Sequence, residues 1–247
     1  EIELRPFFDT SDIEMNLNNK EIQAISMLDP NSFGEIEGVP GFKLVLRDSS
    51  YKEFIAMNCS TGNPALLDVK VRQAINYAID TKSILLAQQN DVGELIKNYC
   101  LSPYALGYSE DADVAAYPYD PEKAKALLAE AGYGDGLTLN FTASAGWGDI
   151  GCQLAAENLR QVGIVVNFEV VDPTIWGDRY YGGDYDLCFS GEADMYLDPD
   201  FLSLSYGTGG GYNQYYYSDA DVDKLLAQAH VETDEKTRED LYHHAIR

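Results

Sequence analysis

The most constraining feature of this sequence is a regular alternation of helix-like and strand-like segments between residues 120 and 190. Each helix-like segment carries apolar residues at three- and four-residue spacing, and each strand-like segment is a short apolar or alternating run. Such alternation is typical of an α/β fold with a largely parallel sheet, because each helix returns the chain to the same edge of the sheet. The predicted strands are 137–143, 164–171 and 185–189, and the predicted helices are 121–131, 150–162 and the stretch that begins at Pro173.

The segment before residue 120 holds one further strong helix signal. Residues 68–88 carry apolar side chains at helical spacing, with Asp68 as the N-cap and a second helix that starts at Thr81 or Ser83. Most of residues 1–50 is interrupted by Pro and Gly, which predicts loops. The weaker predictions are a helix within 13–27, strands at 42–46 and 52–58, a helix at 219–230 capped by Ser218, and a helix at 235–247.

An acidic stretch follows the last of the three alternating strands. From Asp184 to Asp200 the chain has six acidic residues and neither Lys nor Arg. In α/β proteins, ligands bind beyond the carboxyl ends of the strands, and here the loops 143–149, 171–176 and 190–200 leave those ends. We therefore predict a ligand site along this edge, with a solvated acidic connection as the alternative.

Five residues are candidate ligand contacts. Glu192 and Asp194 would each offer a carboxylate to an ammonium group, and such charge-assisted hydrogen bonds contribute roughly 1.5–3 kcal/mol. Trp147 and Tyr196 would offer rings that stack on a ligand or cover its cation, with core packing as the alternative for Trp147. Asn213 would either hydrogen-bond the ligand backbone or stabilise a turn.

The charge balance restricts the class of partner. The chain has 17 basic and 41 acidic residues, for a formal charge of −24. This excess argues against a nucleic-acid partner and against docking on anionic lipid, since both require a basic face. It fits an amine-bearing ligand, although acidity also serves solubility alone. Four cysteines lie far apart without metal-ligand spacing, which makes zinc improbable and leaves one disulfide open.

The sequence lacks the usual catalytic patterns. A hydrolase that uses Glu192 and Asp194 as an acid/base pair is the alternative to a binding protein. No GxSxG, HExxH or Cys/His dyad accompanies them, so we expect neither enzymatic activity nor a cofactor. Residues 219–223 imitate the start of an EF-hand loop, but Lys224 replaces its Gly and His230 its Glu, so we expect no metal site.

Two long segments carry a family resemblance. The segment from Asp68 to Asp80 resembles the D-x-x-V-R-Q-A-I-x-Y-A-I-D helix of the bacterial extracellular solute-binding proteins of family 5. The segment from Tyr119 to Tyr133 resembles the family's Y-D-P-E-K-A-K-x-L-L-x-E-A-G-Y helix. Gly183-Asp184-Tyr185-Asp186-Leu187 is similar to its G-D-Y-D-L strand, and Asp198-Pro199 to the D-P that follows.

The resemblance implies both a fold and a cellular setting. The fold would be an α/β lobe of the type II periplasmic-binding-protein kind, with a central mixed, mostly parallel sheet flanked by helices. Residues 51–247 would form the truncated C-terminal lobe of a two-lobed binder, and residues 1–50 would lead from the N-terminal lobe or the lobe-crossing region. The full-length protein would be a monomer held outside the cytoplasm, periplasmic or lipid-anchored, that delivers its ligand to an ABC permease in the membrane.

The resemblance also implies a ligand, which is an oligopeptide captured between the lobes. An oligosaccharide or an amine bound by the same fold is the alternative. In peptide-binding relatives, an Asp in the loop before D-P pairs with the amino terminus of the peptide. Here Glu192 stands where the family has Trp, and Asp194 lies one residue before the usual Asp. Replacing Glu192 or Asp194 by Ala is expected to weaken ligand binding with little loss of melting temperature.

Overall fold

The computed structural model describes residues 3–7, 10–26, 28–47, 49–96, 101, 103–105, 108, 117–193 and 198–246. Within them, four strands form a single sheet. The strands are β1 (Tyr51–Met57), β2 (Leu137–Ser144), β3 (Ile164–Val171) and β4 (Leu187–Ala193). The helices are α1 (Thr10–Asn18), α2 (Phe33–Glu37), α3 (Val69–Ala78), α4 (Thr81–Gln89), α5 (Pro121–Glu130), α6 (Asp149–Gln161), α7 (Pro173–Gly182), α8 (Phe201–Ser205), α9 (Ala220–Val231) and α10 (Glu235–Ala245).

The sheet has the order β1-β4-β2-β3 and is mostly parallel. β2 pairs with β3 in parallel along its whole length, from Leu137↔Ile164 to Ser144↔Val171. β4 joins β2 in parallel through Phe141↔Leu187 and Thr142↔Cys188, and β1 adds an antiparallel edge. The predicted α/β fold with a largely parallel sheet is confirmed. α6 connects β2 to β3 and α7 connects β3 to β4, and these helical crossovers allow the strands to run parallel.

The side chains of the sheet alternate between two buried faces. Leu187 and Phe189 of β4 join the main core with α3, α5 and α6. Cys188 of the same strand points the other way, into an aromatic cluster with Tyr180 and Tyr215. Both faces of the sheet are therefore covered, as expected for a parallel sheet with helices on either side.

Acidic residues account for many of the helix starts. Asp68 accepts a hydrogen bond from the Lys70 amide and Asp120 from the Lys123 amide, which confirms both predicted N-caps. The predicted second helix is confirmed as α4, and of the two predicted starts the structure shows Thr81, with Asp80 as its N-cap. An N-cap of this type stabilises a helix by about 0.5–2 kcal/mol. At α9 the capping side chain is Asp219 and not the predicted Ser218.

Several predictions that rested on weak patterns are wrong. The segment 42–46 has no regular structure, and the helix predicted within 13–27 is instead α1, which ends at Asn18 before Lys20 at a φ of 60°. β4 runs to Ala193, four residues beyond the predicted end at Phe189, because β1 pairs with its last residues. Gly191 and Glu192 therefore belong to a strand and not to the predicted loop.

Two further observations concern the described residues alone. None of their helices combines the length and the apolar character that a membrane crossing requires. Cys59, Cys152 and Cys188 are free thiols, and burial raises the pKa of Cys188 to about 12. Cys100 lies outside the described residues, so the question of a disulfide stays open for it.

Candidate functional site

The candidate site lies along one edge of the sheet, which we call the carboxyl edge. The parallel strands β2, β3 and β4 all end there, at Ser144, Val171 and Ala193. β1 is antiparallel and therefore begins there, with Tyr51 opposite Ala193. The edge thus collects the first residues of β1 and the loops that follow the other strands, which is the arrangement that α/β proteins use to hold ligands.

Trp147 projects from the tight loop that joins β2 to α6. The loop is closed by a hydrogen bond of 3.1 Å from the Trp147 amide to the Ser144 carbonyl. The indole ring meets Phe189 at a centroid distance of 5.1 Å and Trp176 at 5.3 Å, both nearly perpendicular. We call Trp147, Trp176 and Phe189 the aromatic cluster. Trp147 is partly buried and packs against the main core, and the remainder of its surface could contact a ligand.

Glu53 of β1 fixes the orientation of the Trp147 indole. The indole Nε1 donates to Glu53 Oε1 at 2.9 Å. Glu53 Oε2 also accepts from Gln88 Nε2 at 3.1 Å and from Gln89 Nε2 at 3.2 Å. Three donors therefore hold one carboxylate, which in turn holds the ring.

Glu192 lies on the same edge, inside β4, where it is engaged by two side chains. Its Oε1 lies 3.5 Å from Lys52 Nζ, and its Oε2 accepts from the Tyr215 hydroxyl at 3.2 Å. We call Lys52, Glu192 and Tyr215 the charged cluster. Burial, and secondly the charge of Glu192, raise the pKa of Tyr215, so its phenol remains a donor at neutral pH.

Asp194 and Tyr196 lie outside the described residues, so their predicted roles stay predictions. The segment is anchored directly after them. Asp198 forms a two-pronged ion pair with Arg238 of α10, at 2.7 and 3.2 Å, and this pairing lowers the pKa of Asp198. Asp200 accepts from the buried Tyr242 hydroxyl at 3.1 Å.

The structure does not bring Asn213 to the carboxyl edge. It lies beside Ser60, which follows the far end of β1, along a hollow of about 350 Å³. Its side-chain amide donates to the carbonyls of Gly207 and Tyr217, and its oxygen accepts from the Tyr217 amide. Both amide hydrogens are therefore used within one turn, and a contact of Asn213 with ligand stays a prediction without geometric support.

Three residues of the edge were missed by the sequence reasoning: Lys52, Glu53 and Tyr215. One signal for Lys52 was available. It shares the strand period with Phe54 and Ala56, so an isolated Lys on an otherwise apolar face indicated a buried ammonium. Glu53 and Tyr215 carried no comparable signal, because their partners are distant in sequence.

The side chains at the carboxyl edge are suited to binding a ligand. They offer an aromatic surface, the Glu53 carboxylate with three donors, and the Glu192 carboxylate, whose Oε2 accepts from Tyr215 and whose buried Oε1 has no hydrogen-bond donor among the described residues. Within the described residues, no group of three or more His, Cys, Asp or Glu side chains lies close enough to hold a metal ion. A polar hollow of about 220 Å³ lies near the opposite edge, between Asn140, Arg179 and Asp186, and is separate from the aromatic and charged clusters.

Comparison with known proteins identifies the family. The model of the bacterial extracellular solute-binding proteins, family 5 middle region, matches residues 1–214. The probable di/tripeptide-binding protein 5 of Pseudomonas aeruginosa (strain UCBPP-PA14) is 33% identical over 209 residues, covering 78% of this chain and 37% of that protein. Heme-binding protein A of Haemophilus influenzae is 33% identical over 201 residues, covering 78% of this chain and 36% of that protein.

Solved structures agree in fold. AgaA from A. tumefaciens R10, in complex with agropinic acid, is similar with a TM-score of 0.84 at 26% identity, over 96% of this chain and 49% of that chain. HbpA2 from Haemophilus parasuis is similar with a TM-score of 0.80 at 26% identity, over 96% of this chain and 48% of that chain. This chain spans about half the length of these structures and just over a third of the curated relatives. The chain belongs to family 5 of the bacterial extracellular solute-binding proteins.

Proposed function

We propose that the full-length protein captures a short peptide and presents it to an ABC permease. The observation that carries the proposal is the carboxyl edge, where a partly buried indole is held in a fixed orientation beside polar groups. Rigid aromatic surfaces with a few fixed polar atoms are the usual composition of small-ligand sites. The relative named as a di/tripeptide-binding protein favours a peptide.

The proposal extends to the setting of the protein. Residues 51–247 constitute the C-terminal lobe, residues 1–50 lead into it, and the ligand lies between this lobe and a second one. The protein works outside the cytoplasm, in the periplasm or on a lipid anchor, as a monomer and without catalysis. Trp147, Glu192, Asp194 and Tyr196 contribute to the wall of the cleft, and Asn213 supports the loop that carries Tyr215.

A non-peptide solute is the second candidate. Two observations favour it: the similar AgaA structure holds agropinic acid, and a relative at 33% identity is named for heme. The aromatic cluster suits either class, because rings stack on flat or apolar groups as readily as on peptide planes.

Calorimetry on the full-length protein tests the proposal. Peptides of two to five residues are compared with an oligosaccharide and an aliphatic amine. We expect binding of the peptides, and a loss of about tenfold or more in Trp147→Ala if the ring anchors the ligand. Tyr119→Ala is the control, because Tyr119 is exposed, precedes α5 and belongs to neither the aromatic nor the charged cluster. Binding of the oligosaccharide or amine alone would contradict the peptide proposal, and equal affinity in Trp147→Ala would remove Trp147 from the site.

A further inference from the structure

Tyr51 is the first residue of β1 and therefore lies at the carboxyl edge, opposite Ala193 at the end of β4. Tyr51 and Glu53 are two residues apart in one strand, so both side chains leave the sheet on the same face. This is the face of the main core, against which Ile55 of β1 and Trp147 pack. Tyr51 is 42% exposed, so part of its side chain is accessible beside the candidate site.

Gly191 of β4 makes room for the Tyr51 side chain. A Cβ at Gly191 would lie 2.3 Å from the Tyr51 hydroxyl oxygen, so the phenol extends across β4 at a position where a larger residue would collide with it. Gly191 is paired with Glu53 in the strand register. The Tyr51 hydroxyl therefore lies on the same part of the sheet as Glu53, whose carboxylate accepts from the Trp147 indole at 2.9 Å.

The three polar groups on this part of the sheet differ in what they have left to offer. Glu53 already accepts from three side-chain donors, and the one N–H of the Trp147 ring is donated to Glu53. The Tyr51 hydroxyl has no hydrogen-bond partner within the part of the chain that the structure describes. Burial, and secondly the charge of Glu53, raise the pKa of Tyr51 to about 12, so the phenol keeps its proton at neutral pH.

We propose that Tyr51 is a specificity-determining residue that donates its hydroxyl to a carbonyl oxygen of the bound peptide, an inference that rests on the proposed function. Glu53 can only accept and Trp147 has its N–H engaged, so of these three side chains Tyr51 is the one that can donate to a ligand. The charge of Glu53 disfavours a ligand carboxylate at the same place, whereas a neutral carbonyl is not repelled. A peptide carries such an oxygen in every peptide unit.

A purely structural role is the alternative for Tyr51. The ring would then cover the backbone at Gly191, and the hydroxyl would contribute nothing. Phenylalanine has the same ring without the hydroxyl, so Tyr51→Phe separates the two roles. Because the hydroxyl has no partner among the described residues, its removal should change the melting temperature of the full-length protein by no more than about 2 °C.

Calorimetry on the full-length protein with the peptide Ala-Ala-Ala tests the donor role. We expect Tyr51→Phe to weaken binding about threefold to tenfold, the usual contribution of one hydrogen bond. Tyr119→Phe is the matched control and should leave the affinity unchanged, because Tyr119 is similarly exposed, at 44%, but precedes α5. Unchanged affinity in Tyr51→Phe, or an equal loss in Tyr119→Phe, would overturn the proposal.

The C-terminal amide of the same peptide tests which oxygen is bound. If Tyr51 donates to a carbonyl within the peptide, Tyr51→Phe should weaken the binding of the free acid and of the amide by the same factor. A hydrogen bond to the terminal carboxylate is charge-assisted and stronger, so a loss several-fold greater for the free acid would overturn the assignment to a neutral carbonyl. If the unsubstituted protein binds neither peptide, the peptide function fails and the role of Tyr51 fails with it. If it binds both and Tyr51→Phe binds them equally well, the role of Tyr51 alone is excluded.

Discussion

The aromatic cluster and the charged cluster share one edge of the sheet but differ in what they offer a ligand. Trp147 is partly buried against the main core and its indole Nε1 donates to Glu53, so the remainder of its surface is available to a ligand. Glu192 is mostly buried and already has Lys52 and Tyr215 as partners. An acidic residue at a cleft is therefore not by itself an available charge, and the ring beside it is the better candidate for direct contact.

The largest expected effect tests how closely the aromatic cluster is packed. Gly148 has a φ of 77°, and a Cβ at this position would lie 2.3 Å from the Phe189 ring. Gly148→Ala is therefore expected to reduce the free energy of unfolding by about 2–4 kcal/mol, from backbone strain together with overpacking. Urea unfolding of the full-length protein measures this loss.

Gly146 provides the matched control for that substitution. It lies in the same loop with a φ of 75°, but a Cβ there would have no atom within 4 Å. Gly146→Ala should cost only about 1 kcal/mol, the strain component alone. Equal losses in the two variants would show that Phe189 does not constrain the loop, and the aromatic cluster would then be looser than its ring distances indicate.

The sequence predicted the bounds of the central strands better than it predicted the residues of the candidate site. β3 was predicted to the residue and β2 to within one, because their apolar patterns are local. The last residues of β4 were missed because Ser190, Gly191 and Glu192 are polar, small or charged. They are strand residues only through pairing with β1, which lies more than a hundred residues earlier.

The candidate site shows the same difference between residues set by the local sequence and residues set by long-range pairing. The position of Trp147 was predictable, since the end of a parallel strand could be read from the local pattern. The state of Glu192 was not, because it depends on the register that places Lys52 opposite it and on Tyr215 from a later loop. Long-range pairing thus decides whether the charge of Glu192 is available to a ligand.

An intermediate loss of stability is expected when the hydrogen bond from Tyr215 to Glu192 in the charged cluster is removed. Tyr215→Phe removes the hydroxyl that donates to Glu192 Oε2 but retains the ring contacts with Phe54 and Tyr206. The free energy of unfolding should fall by about 1–2 kcal/mol, as for a hydrogen bond to a charged acceptor. Tyr181→Phe is the control, since that side chain is 64% exposed, and should change stability by less than about 0.5 kcal/mol. A neutral Tyr215→Phe would mean that Lys52 alone holds Glu192.

The smallest expected effect is on peptide affinity, when Glu53, which orients the Trp147 ring of the aromatic cluster, is replaced. Glu53→Ala removes the acceptor of the Trp147 indole and of two glutamine amides, yet Glu53 is exposed, so stability should change little. Affinity for peptide should fall a few-fold, because the ring loses its fixed orientation and must be ordered when ligand binds. Glu53→Gln keeps an oxygen that can accept from Nε1 and should restore most of the affinity. The difference in intrinsic fluorescence between Glu53→Ala and the unsubstituted protein reports a change in the surroundings of the indole. If Glu53→Ala alters the emission but not the affinity, the Trp147 indole is held for packing alone. The contrast between Trp147 as an available ring and Glu192 as an occupied carboxylate then does not hold.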